Sequence, residues 1–390
     1  MGLIVLCIAE AGSRVSLTGG PYAYVETAFG PFVGFLSGVL LWLTGTTALA
    51  AVATIFADNL AQLVPALAVS ANRAVFIVIV FAGLAAINVR GVRQGAAVNT
   101  ASTVVKLVPL LLLLTAGLLV VHPENLRITA MPAGGDLSRA SIFLIFAFAG
   151  IESALVPSGE VKDPATTVPR AVFIAMAGIT VLYILLHIVA QGVLGPDLVG
   201  SKTPLADAAG RVFGPWGKSL LAVGVVLSTF GYLAGMTLAV PRALFAFGRD
   251  GFLPAKLADV HPRFHTPWIA IVVQTIVVAL LATTNGFERL AIIANVSALL
   301  VYFSCCVASW ELRRRGIRGE GTPYRVPGGP LVPVLACLVI MLLLSSITAQ
   351  EWYVLVVVLG VAAFIYLVTK GSRTAAAAAT ATPDPSLRSG

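Results

Sequence analysis

The chain has 390 residues, 58% of them hydrophobic and 11% charged, with 25 lysines and arginines against 17 acids for a net charge of +8. Several apolar runs exceed the roughly 18 residues that mark a transmembrane helix, which excludes a soluble domain and describes a polytopic membrane protein. Cys7, Cys305, Cys306 and Cys337 all fall within apolar runs, so they read as small core residues and not as a disulfide framework or metal cluster.

In chain order, the run from Gly2 to Glu10 comes first. As a helix it would rise only about 13 Å, less than half of a hydrocarbon core of about 30 Å. The chain is therefore expected to begin inside a helix. A signal peptide would need a basic start and a small-residue cleavage site, and the run has neither. Ten full spans follow, at 31-57, 74-89, 98-121, 139-157, 169-194, 217-241, 267-284, 288-310, 330-348 and 351-369. Each is expected to be helical, because hydrocarbon offers backbone groups no other partner. The "GGPYAY" run from Gly19 reads as a cytoplasmic linker with a tight turn, and "GRDGFLP" from Gly248 as another turn. Residues 1-370 form one transmembrane domain, and 371-390, low in complexity, read as a disordered tail.

Lysine and arginine set the orientation. With the linker after Glu10 on the cytoplasmic side, seventeen lie on that side, seven lie outside and Lys106 lies within a span. The net charge is thus a topology signal, no nucleic-acid partner is implied, and the C-terminus is expected in the cytoplasm.

"FGPFVGFLSGVLLWLTG" from Phe29 matches "FGPWGKSLLAVGVVLSTFG" from Phe213, an offset of 184 residues. Five spans separate the copies, an odd number, so they enter the membrane from opposite sides as an inverted repeat. In such folds a discontinuous helix leaves its backbone free to bind a ligand near the midplane. The stretch "IFAFAGIESALVPSGE" fits. Ala147, Ala149 and Gly150 let backbone approach a small ligand, Phe146 and Phe148 can cover it, Ile151 follows, and Glu152 sits just after the break. An acid at that depth needs a ligand ammonium, a proton or a helix partner. The competing reading is a packing kink with Glu152 protonated or bonded to a neighbouring helix.

The run "FAFAGIESALVPSGEVKDPATTVPRA" resembles the sixth helix and following loop of the amino acid-polyamine-organocation superfamily, specifically its bacterial amino acid permeases. "AEAGSRVSLTGGPYAYVETAFGPFVGFLSGVLLW", "PRALFAFGRDGFLPAKLADVHPRFHTP" and "TPYRVPGGPLVPVLA" agree with it, and the similarity runs from about Gly2 to Tyr366. The resemblance implies an all-α, five-plus-five inverted-repeat fold with two added C-terminal helices. It implies alternating access, an amino acid or amine as substrate, and an unwound segment at 146 to 152 that touches the substrate. It also implies a first helix with a Gly-Ser-Gly-type break, which this sequence lacks, so the chain reads as N-terminally truncated.

Lys106 lies seven residues into its span from Asn99, about 10 Å deep. It either snorkels to the cytoplasmic face or acts as a buried titratable group that exchanges a proton during transport. The resemblance supports the second, since proton-coupled relatives carry a lysine on the fifth helix. Trp42, Tyr232 and Thr237 could line the cavity, although each also suits a packing role. His187, the one histidine in a span, reads as a polar residue packing between helices.

The sequence is thus read as a proton-coupled secondary transporter of amino acids or amines in the bacterial cytoplasmic membrane, with the bilayer as its environment and no cofactor. The alternatives are a truncated permease that does not transport, a channel, and a membrane-embedded enzyme. No HExxH, Walker loop or nucleophile elbow supports the last.

Overall fold

The computed structural model describes the chain except residues 16–19, 92–94, 128–130, 132, 152–162, 202, 320–321 and 382–390. Among the described residues there are fourteen α-helices. They are α1 (Gly2–Arg14), α2 (Pro21–Phe29), α3 (Pro31–Leu63), α4 (Ser70–Arg90), α5 (Gly95–Gly117), α6 (Gly134–Phe148) and α7 (Pro164–Leu194). Then come α8 (Pro204–Phe213), α9 (Pro215–Ala239), α10 (Pro241–Arg249), α11 (Trp268–Thr284), α12 (Phe287–Arg314), α13 (Leu331–Leu344) and α14 (Ala349–Ala381). A helix stands at each of the ten apolar runs, in an all-helical, multi-pass membrane fold. Proline opens α2, α3, α7, α8, α9 and α10, where its missing N–H would be unpaired in any case and its fixed φ suits the first turn.

Two helices form the centre. In α3, 78% of the apolar window is buried, and in α12 67%, against 22% or less in α4, α7, α9 and α14. Small residues allow this close approach. Ala48, Ala50, Ala51 and Ala53 of α3, and Ala291, Ala294 and Ala298 of α12, are all buried. The buried Thr44 and Thr47 spend their hydroxyls on carbonyls of their own helix, at Leu40 (2.9 Å) and Leu43 (2.7 Å), so they add no unpaired donor.

The repeat is visible in both corners and contacts. The α2–α3 corner turns at Gly30 (φ 87, ψ 177) and the α8–α9 corner at Gly214 (φ 78, ψ −167), 184 residues apart, each followed by proline at the helix start. Exchanging α1–α5 with α7, α8, α9, α11 and α12 maps the packing onto itself. Thus α3·α12 answers to α9·α5, α3·α11 to α9·α4, α2·α12 to α8·α5 and α1·α12 to α7·α5. The pairs α1·α7, α3·α9 and α4·α11 map onto themselves. Helices α6, α10, α13 and α14 stand outside the exchange.

Three expectations change. The "GGPYAY" run is not a linker: Gly20 makes the turn, and Pro21 then opens α2, whose Ala23, Tyr24 and Val25 are buried against the core. Arg14, counted among the cytoplasmic charges, is 3% exposed and paired with Glu10, itself 1% exposed. The segment from Gly371 begins as helix, since α14 continues to Ala381; residues 382–390 lie outside the described residues.

Glu10 is the hub of a buried cluster. Its Oε1 accepts from Arg14 Nε (3.0 Å) and Nη2 (2.8 Å) and lies 3.3 Å from Arg313 Nε. Its Oε2 accepts the Val326 N–H at 2.9 Å. Arg14 also donates to the Ile317 carbonyl, and Arg313 to those of Val326 and Gly329. The cluster ties the end of α1 to the end of α12 and to the loop before α13.

Candidate functional site

Helix α6 ends inside its apolar run. Phe146, Ala147 and Phe148 are still helical, so the break begins later than the 146-to-152 stretch expected from the sequence. Ala149 turns extended (φ −64, ψ 144), Gly150 takes φ +115, and Ile151 is helical again. A positive φ of that size is one that only glycine adopts without strain. Glu152 lies outside the described residues.

The last carbonyls of a helix lack donors from a following turn and must find them elsewhere. At this end the Ala149 N–H closes back on the Phe146 carbonyl at 3.2 Å. Tyr183 of α7 donates its hydroxyl to the Ala147 carbonyl at 3.0 Å. The Phe148 ring packs edge-on to Tyr183 with centroids 5.5 Å apart, and Phe146 edge-on to Phe287 of α12 at 5.7 Å. One turn earlier, the Asn295 amide of α12 donates to the Ile142 carbonyl at 2.8 Å. The break is therefore held from two sides, by α7 and α12. Chemically, the end of a half-helix carries the negative end of its dipole together with carbonyl acceptors, which suits a cation such as an ammonium.

The other sequence-derived residues divide. Trp42, Phe148 and Ile151 pack on one core cluster, around Leu40, Leu43, Ile145 and Leu299. Phe146 and Tyr232 pack on a second, around Leu49, Leu233 and Leu290. The Trp42 indole donates to Gln274 Oε1 of α11 at 2.8 Å, and Gln274 Nε2 donates to Thr46 Oγ1 at 3.0 Å. Thr237 spends its hydroxyl on the Leu233 and Ala234 carbonyls of its own helix. Lys106 is exposed and not buried as the proton-exchange reading supposed. It shares a face of α5 with Pro109 and Leu113, which are buried, and that burial ends one turn short of it. Among the described residues it has no ion-pair or hydrogen-bond partner.

Tyr183, Gln274 and Asn295 were not singled out from the sequence. Gln274 and Asn295 carried a usable signal, a lone amide in an otherwise apolar stretch of a span. Tyr183 carried none, because only packing aims its hydroxyl at α6.

A surface depression of about 560 Å³ lies elsewhere, against α8 and the start of α9, lined by Asp197, Ser201, Asp207, Arg211 and Lys218. Its charges satisfy one another. Lys218 pairs with Asp207 at 2.8 Å, Ser201 donates to Asp207 at 2.6 Å, and Arg211 pairs with Asp197. Partial burial pushes the Asp207 carboxyl up, but the Lys218 and Ser201 hydrogen bonds outweigh it and hold the group below its ordinary value. Among the described residues no unpaired charge is left there to recruit a ligand.

Comparison with known proteins follows the same lines. The family model described as "Amino acid permease" matches residues 1–377. The serine/threonine exchanger SteT of Bacillus subtilis is 31% identical over 85% of this chain and 76% of its own length. The methylthioribose transporter of the same organism is 28% identical over 93% of this chain and 82% of its own length. Its branched-chain amino acid permease BcaP is 26% identical over 93% and 82%. These names describe transporters and not enzymes.

Proposed function

From the premise that this chain belongs to the amino acid permease family, we propose that it moves a small neutral amino acid by alternating access, with the broken α6 as its substrate site. The observation that carries this is the interruption of α6 at Ala149 and Gly150 within the membrane-spanning bundle. Phe146 to Gly150 offer the substrate ammonium backbone carbonyls at the negative end of a half-helix, Phe148 and Ile151 cover its side chain, and Glu152 is the next residue in the sequence. Trp42 and Tyr232 line the flanks, and Thr237, with its proton spent, acts through packing. The preference for a neutral substrate is supported by the serine/threonine and branched-chain relatives.

A coupling-proton role for Lys106 is supported by its position within the span, while its exposure supports snorkelling to the cytoplasmic face instead, and the response of uptake to a proton gradient decides between the two. The protein sits in the cell membrane with its C-terminus in the cytoplasm, supported by the seventeen-to-seven division of basic residues. Residues 1–370 form the transporter domain.

The test is uptake into proteoliposomes of radiolabelled serine, threonine, alanine, valine, leucine and methylthioribose, with and without an inward proton gradient. Gradient-stimulated uptake of one or more of the amino acids is expected. Uptake of methylthioribose alone would overturn the substrate class, and uptake of none would overturn the proposal.

A further inference from the structure

Asn295 sits on α12, one of the two central helices, between buried Ala294 and Val296, and is itself fully buried. Its Nδ2 donates to the Ile142 carbonyl of α6, 153 positions away in sequence. That oxygen has two lone pairs, so it can take the amide in addition to the helical N–H of its own turn. The other end of the side chain is unusual. Asn295 Oδ1 is buried and has no hydrogen-bond partner among the described residues. Turning the amide over would set oxygen against oxygen at Ile142, so its orientation is decided. An unpaired buried acceptor costs stability that a leucine of similar volume would not incur. A core built for stability alone has no use for this amide.

What the amide supplies is register. The apolar contacts of α6 with α12, at Ile145 and Phe146, tolerate small slides along the helix axis. A hydrogen bond to one chosen carbonyl does not, since successive carbonyls along a helix are offset by about 1.5 Å of rise. We propose that Asn295 is a positioning residue for the substrate site: it fixes the height of α6 in the bundle, and with it where the backbone of Ala147 to Gly150 meets the substrate. This rests on the broken α6 being that site.

The test compares the purified full chain, as wild type, Asn295→Leu and Phe148→Ala, by thermal unfolding and by equilibrium binding of radiolabelled L-serine, L-threonine and L-valine. Asn295→Leu is expected to keep or raise Tm, because the unpaired oxygen goes with the amide. It is also expected to weaken binding of the retained amino acid about tenfold, or about 1.4 kcal/mol. An unchanged Kd in Asn295→Leu, with or without a fall in Tm, while Phe148→Ala weakens binding, would reduce Asn295 to packing and overturn the proposal alone. An unchanged Kd in both variants, or no binding by the wild type, would overturn the site itself and the proposal with it. Should Asn295→Leu fail to fold, Asn295→Ala removes the same two groups without adding a methyl and is read by the same two measurements.

Discussion

Lys106 and Phe148 are the residues on which the proposed chemistry turns, and each has its own test. If Lys106 carries the coupling proton, Lys106→Ala loses the stimulation of uptake by an inward proton gradient while substrate binding persists. Gradient dependence equal to wild type in proteoliposomes rejects the role and returns Lys106 to snorkelling. Phe148→Ala removes the ring that stacks edge-on against Tyr183. If Phe148 covers the substrate side chain, the loss of about 1.4 kcal/mol of apolar contact should raise KM roughly tenfold; an unchanged KM removes Phe148 from the site. Asp207 makes a prediction of sign. Its folded pKa lies below the ordinary 3.8, so its stabilising contribution is present above that value and is lost as pH falls through the folded pKa. Tm of Asp207→Asn should therefore fall less than that of wild type on acidification, and an equal fall contradicts the Lys218 and Ser201 hydrogen bonds as its cause.

Among the elements, α1 and α2 depart furthest from what their sequences suggest. A short run ending in Glu10 and Arg14 reads as a helix leaving the membrane towards charged solvent, yet both side chains are buried and bonded to Arg313 of α12, Ile317 and Val326. Breaking a buried charge cluster by removing one member strands the others, at a cost of about 3–5 kcal/mol. Glu10→Ala should lower stability by that amount in thermal unfolding. Replacing Glu10 and Arg14 together by Leu and Met should recover a large part of it, and a double variant as unstable as the single one would show that Arg313 and the Val326 N–H carry the cluster. The partners explain why this was illegible. Val326 is 316 positions from Glu10, and Ile317 is 303 from Arg14. In α2 the obstacle was different: Gly-Gly-Pro is a turn signal, and here proline serves as the first residue of a helix immediately after the turn.

For the molecule as a whole, the repeat makes a quantitative claim. Gly30 and Gly214 occupy the same backbone region, one essentially closed to other residues, and a Cβ at either would meet no atom within 4 Å. Gly30→Ala and Gly214→Ala should each cost about 1–3 kcal/mol from backbone strain alone, and the two should add in the double variant. Markedly unequal costs would mean that the two corners are not equivalent. The sequence by itself determined the number and order of the apolar helices, the two Phe-Gly-Pro corners and the interruption of α6, because hydropathy over a span's length and the backbone limits of glycine and proline act locally. Only the tertiary structure decided that α3 and α12 are central, that Arg14 is buried, that Lys106 is exposed, and that Asn295 and Tyr183 hold the broken end of α6. Each of these depends on which distant side chain packing brings within about 3 Å, and no local pattern encodes that choice.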